Sequence, residues 1–113
     1  MKPIIKENSP IPGLLSWFIQ IEAITLYPYI ISRGEMSEKT LNHESIHIRQ
    51  QEELAIVGFY ILYVGYWLKN KIASKMDNSQ AYYNIPFERE AYMNESDPDY
   101  LSVRKKMAWR EYK

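Results

Sequence analysis

"LNHESIHIRQQEEL", residues 41–54, holds both histidines of the chain, His43 and His47, four residues apart with Glu44 directly after the first. From Glu38 to about Lys71 no proline intervenes and most residues favour a helix. Ser37 stands in front as an N-cap, so the reading is a helix that starts at Glu38. On a helix, positions i and i+4 face the same way, and both imidazoles can meet one cation. The sequence His-Glu-Ser-Ile-His is thus an H-E-x-x-H pattern with a mechanism behind its spacing. Zn²⁺ bound by His43 and His47 lowers the pKa of a water towards ~7, and Glu44, about 100° round the helix, can take its proton. Arg49 and Gln50 fall on the outer side of this helix.

Outward from the motif, "FIQIEAITLYPYII" partly alternates and is rich in β-branched and aromatic residues. It reads as one or two strands, with Pro28 demoting the second to an edge. Residues 1–13, with three prolines and Gly13, read as an irregular lead-in. Downstream, "LAIVGFYILYVGYWL", 54–68, is apolar all round, which fits a buried or a membrane-embedded helix. It runs on from the motif as one long helix or as a second helix after a bend. Fifteen residues fall short of the ~20 that cross a bilayer. Gly58 and Gly65, seven apart, would let another backbone approach, so a homodimer is one option and peripheral membrane contact another. Residues 70–80 read as a polar connector. "NIPFEREAYMNES" reads as a helix with Pro86 in its first turn. A last helix is expected from Asp97 as N-cap and Pro98, with Leu101, Lys105, Ala108 and Tyr112 on one face. The fold class is α+β, mainly α: three to four helices on a small N-terminal β element, as a single domain over 1–113.

The chain has no cysteine and no further histidine, so a third metal ligand must be a carboxylate. The connector is a poor support for one. "FEREAY", 87–92, offers Glu88 or Glu90 on a helix. The two differ by about 200° of rotation, so only one can reach the histidines.

An H-E-x-x-H helix followed by a glutamate on a second helix resembles the gluzincin branch of the zincin metallopeptidases. Families of this kind carry a second motif E-x-x-A-D, which Glu88-Arg-Glu-Ala91-Tyr92 matches through the alanine. "HIRQQ" is also similar to small bacterial zincin-like proteins. The resemblance covers roughly residues 20–95. It implies zinc on His43, His47 and Glu88, with Glu44 as the catalytic base. It also implies a sheet edge against the zinc helix that holds an extended peptide, with "EAITLYPYI" in that place. Tyr92 stands where these families have an Asp that orients the first histidine; no substitute is visible, although Gln51, one turn beyond His47, or a backbone carbonyl could serve. The oxyanion stabiliser is not assigned: Tyr82, Tyr83, Tyr92 and Arg89 lie near the second motif, and tyrosine is abundant throughout.

Fourteen acidic and fourteen basic residues cancel, which removes the basic footprint of a nucleic-acid binder. The start, "MKPIIKENSPIPG", has proline and charge where a signal peptide has an apolar run, so a cytoplasmic protein is expected. Three functions compete: a zinc-dependent hydrolase acting on peptides, a zinc domain without turnover, and a membrane-associated or partner-binding module. Metal content separates the third from the others, and a substrate screen separates the first two.

Overall fold

The computed structural model describes residues 3–8, 23–32 and 34–113, and expectations for residues 9–22 lie outside it. The fold is α+β and mainly helical, with a small sheet near the N-terminus. Strands β1 (Ile4–Lys6), β2 (Ala23–Leu26) and β3 (Tyr29–Ser32) form a sheet in the order β1-β3-β2. β2 and β3 are a hairpin in which Thr25 lies opposite Ile30, and β1 runs parallel to β3. Two expectations change here. Residues 4–6 are a strand, not part of an irregular lead-in. Moreover β3 is central and β1 and β2 are the edges among the described residues, because Pro28 sits in the connecting turn, outside the ladder. Its carbonyl accepts the Ile4 N–H at 2.8 Å and so helps to dock β1.

Helix α1 (Glu38–Glu53) starts where Ser37 predicts: the Ser37 hydroxyl accepts the Thr40 N–H at 3.1 Å. It packs on β2 and β3. The chain then bends, and α2 (Val57–Ile72) is a separate helix. Ala55 and Ile56 make the corner with positive φ of 54° and 64°, and Ile56, with ψ −63°, centres a γ-turn in which the Val57 N–H donates to Ala55 O at 2.6 Å. Such backbone costs about 1–3 kcal/mol per residue, and tertiary packing offsets it. Phe59, just past the corner, is buried with Ile85, Phe87 and Trp109 in one aromatic core. Phe59 and Trp109 each lie 4.7 Å from the Phe87 ring, between centroids.

α2 is not buried all round. One face enters this core, and the other, with Val57, Ile61 and Ile72, is exposed. No helix among the described residues is long and apolar enough to cross a membrane.

The presumed connector holds a short helix, α3 (Asn78–Tyr83), started by a capping box between Asp77 and Gln80. α4 (Pro86–Asn94) follows, with Pro86 in its first turn as expected. The last helix is shorter than its pattern. α5 covers only Tyr100–Val103, and a 3₁₀ turn covers Ala108–Tyr112. Arg104 between them is extended, with ψ 130°. Its guanidinium reaches Glu53 at the end of α1 and Glu90 on α4, and these ion pairs outweigh helix continuation.

Candidate metal centre

α1 presents His43, Glu44 and His47 inward, and their ligand atoms lie within 4.8 Å of one another. α4 faces them with Glu88. Its Oε1 lies 3.0 Å from Nε2 of His43 and 3.0 Å from Nε2 of His47. Glu90, two residues on, points the other way. Its carboxylate meets Arg104, the Tyr100 hydroxyl and the Gln50 amide. The structure therefore brings Glu88, and not Glu90, to the histidines.

The outer nitrogens of both rings are held. The Nδ1 of His43 lies 2.6 Å from Glu95 Oε2, and the Nδ1 of His47 lies 2.7 Å from Gln50 Oε1. The Gln50 amide nitrogen donates to Phe87 O and to Glu90, so its oxygen is what faces His47. Acceptors at both Nδ1 atoms assign the proton there and turn the Nε2 lone pairs inward. Two lone pairs and a carboxylate oxygen converge on one point, and such a point takes a cation or a proton. Ligand atoms about 2.0–2.2 Å from a tetrahedral metal stand roughly 3.3–3.6 Å apart, a few tenths of an ångström beyond the 3.0 Å seen. Nitrogen and oxygen donors so grouped could hold a metal ion.

Without metal, the point takes a proton. Burial opposes charge on His47, yet the Glu88 carboxylate outweighs it and raises the imidazole to about 9. Burial likewise opposes charge on Glu88, but the His47 and His43 rings hold its carboxyl well below the usual range. The raised His47 pKa contributes stability that is full below 6.5 and is lost as pH rises through about 9. The lowered Glu88 pKa contributes stability present above 4.5 and lost as pH falls further. Metal-free protein is thus expected to melt progressively lower from pH 6.5 to 9, whereas metal-loaded protein, with no His47 proton to lose, holds its midpoint. Parallel alkaline losses in the two forms, read by calorimetry, would refute this.

Glu44 is tied to the sheet: Thr25 Oγ1 on β2 donates to its Oε2 at 2.7 Å. Burial pushes the Glu44 carboxyl up, against the pull of His47 and His43. The Tyr63 hydroxyl on α2 donates to Glu88 Oε2 at 2.6 Å, which leaves Oε1 for the histidines. Burial, then Glu88, raises the Tyr63 phenol well above its ordinary value and keeps it a donor.

Several supports differ from the sequence reading. Glu95, not Gln51 or a backbone carbonyl, stands at Nδ1 of His43. Gln50 is fully buried rather than outside, and so is Gln51. Tyr92 lays its ring edge-on to His43, centroids 4.4 Å apart, and shares a 2.9 Å hydroxyl contact with Tyr82. Arg89 is exposed. Glu95 was findable, being two turns beyond Glu88 on one face, and Gln50 lies one turn beyond His47. No local signal marks Tyr63 or Thr25.

Partners at Nδ1 of a ligating histidine tune affinity. Glu95→Ala is expected to weaken zinc binding by about 10–100-fold, and Glu95→Gln, which keeps an acceptor, by less. Equal affinities for parent and Glu95→Ala in a chelator competition would remove Glu95 from this role. A recess of about 330 Å³, lined by Arg49, Glu52, Glu53, Arg104 and Lys106, shares no residue with the histidine group.

Comparison with known proteins gives no relative: no family model, no curated protein and no solved structure matches the chain.

Proposed function

We propose that the protein is a zinc-dependent hydrolase of the gluzincin type acting on peptides, with zinc on His43, His47 and Glu88 and Glu44 as general base. The observation that carries it is the convergence of both Nε2 atoms on Glu88 Oε1, each at 3.0 Å. Zinc held there supplies a Lewis acid that makes a water acidic near neutral pH. The chain's own part is to orient and to move a proton. Glu95 and Gln50 fix the rings, and Tyr63 fixes the Glu88 carboxylate. Glu44 takes the proton at Oε1, the oxygen that Thr25 does not hold, and its raised carboxyl suits a base. β2, whose Thr25 touches Glu44, is an edge of the sheet among the described residues, and along it an extended peptide would lie.

A second reading is a zinc domain without turnover. It is favoured by closure: His43, Glu44, His47 and Glu88 are only 5, 7, 4 and 4 % exposed. Structural zinc sites are closed, and catalytic ones keep an open position.

The deciding experiment measures metal content and peptide hydrolysis on parent and Glu44→Gln proteins. The expected result is one zinc in both and a loss of hydrolysis of at least about 10²-fold in the variant. Zinc in both with no hydrolysis by the parent, over a broad peptide library, selects the second reading. An absence of zinc from the parent overturns both.

A further inference from the structure

We propose that the exposed face of α2 is a self-association surface, and that it takes α2 of a second copy of this chain in antiparallel orientation. Val57, Ile61, Val64, Leu68 and Ile72 are 66, 67, 53, 44 and 75 % exposed. Their spacings of four, three, four and four residues put them on one stripe. The contiguous apolar face runs the length of the helix, about 22 Å, and such a face marks an interaction site.

The pattern itself identifies the occupant. About the midpoint between residues 64 and 65 it reads nearly the same in both directions. Val57 then meets Ile72, Ile61 meets Leu68, and Val64 meets Gly65. A two-fold contact requires this kind of self-complementary patch. Gly65 lies at the axis, and a Cβ built on it meets nothing within 4 Å, so there is room for the partner's valine. Charge sets the orientation. Lys69 and Lys71, both in the last turn, are the only charged residues of α2. A parallel pair would bring four ammonium groups together, whereas an antiparallel pair places them at opposite ends and opposes the helix dipoles favourably.

A membrane surface is a poorer occupant. Interfacial helices carry lysine and arginine along a polar face. The opposite face of α2 instead holds Phe59 and Asn70 inside the protein. One helix against one helix is a small interface, so the dimer is weak and concentration-dependent.

The chain has no cysteine, so single-cysteine variants report the geometry directly. In the antiparallel pair the two copies of residue 64 meet at the axis, while the copies of residue 57 stand at opposite ends. Disulfides need Cα atoms within about 7 Å. Under mild oxidation Val64→Cys is expected to form a covalent dimer and Val57→Cys to stay monomeric. Sedimentation equilibrium of the parent up to about 1 mM, a range that reaches weak interfaces, should show dimer. Ile61→Glu, at an exposed position, should cut association at least about tenfold with an unchanged circular dichroism spectrum. A parent monomeric throughout, or Val57→Cys crosslinking as fast as Val64→Cys, overturns the proposal. So does flotation of monomeric parent with phosphatidylglycerol–phosphatidylcholine vesicles.

Discussion

Glu88→Gln is expected to lower zinc affinity by about two to four orders of magnitude while the protein stays folded. Glutamine keeps the side-chain shape and still accepts from the Tyr63 hydroxyl. It withdraws the negative charge from the atom on which both Nε2 atoms converge. On the proposed ligation, one of three protein ligands then becomes a neutral, weak donor to a dication. Glu90→Gln, two residues away, should fail differently: it spares the centre's ligands but weakens the Arg104 network. Competition against a chelator reads the first, and thermal unfolding of the metal-free forms reads the second. Parental zinc affinity in Glu88→Gln would place the metal elsewhere.

The second large effect is on stability. The Arg104 guanidinium, its side chain 2 % exposed, joins Glu90 at 2.5 Å and Glu53 at 3.0 Å, and those carboxylates are 0 and 11 % exposed. Removing the cation leaves two buried like charges without their partner. Arg104→Ala is expected to destabilise by about 3–5 kcal/mol, which lowers the melting temperature on the order of 15 °C for a domain of this size. The damage should extend to the metal centre, because Gln50 bonds Glu90 on one side and His47 on the other. A melting temperature within about 2 °C of the parent, the scale of an ordinary surface substitution, would show that these ion pairs do not hold the C-terminal segment.

What the sequence made legible is what one helix can encode. His43, Glu44 and His47 share a helix whose start Ser37 sets, and Pro86 sets the phase that turns Glu88 one way and Glu90 the other. The corner after α1 was not legible as more than one of two options. Neither glycine nor proline marks it, and Ala55 and Ile56 take positive φ because Phe59 must enter the core with Ile85, Phe87 and Trp109. The early end of α5 has the same kind of cause: apolar periodicity favoured a helix on to Tyr112, and Arg104 left it for two distant carboxylates. β1 pairs with residues some twenty-five positions away, over three residues that carry little signal alone. Tyr63 and Thr25 support the centre across separations of 25 and 19 residues, which periodicity does not register, whereas Glu95, 52 residues from His43, shares the helical face of Glu88.

Those separations also have a consequence for how the protein is made. A ribosome delivers the chain in order, and His47 leaves it 41 residues ahead of Glu88. At about 5–20 residues per second, that interval is roughly 2–8 s. During it the motif helix has neither its carboxylate nor Glu95, and Arg104 is still to come. On the proposed zinc ligation, metal capture is a late event in synthesis, and chains stalled before Glu88 are expected to carry no zinc that survives a wash with chelator. Retention of zinc by such stalled chains would mean that the helix alone suffices.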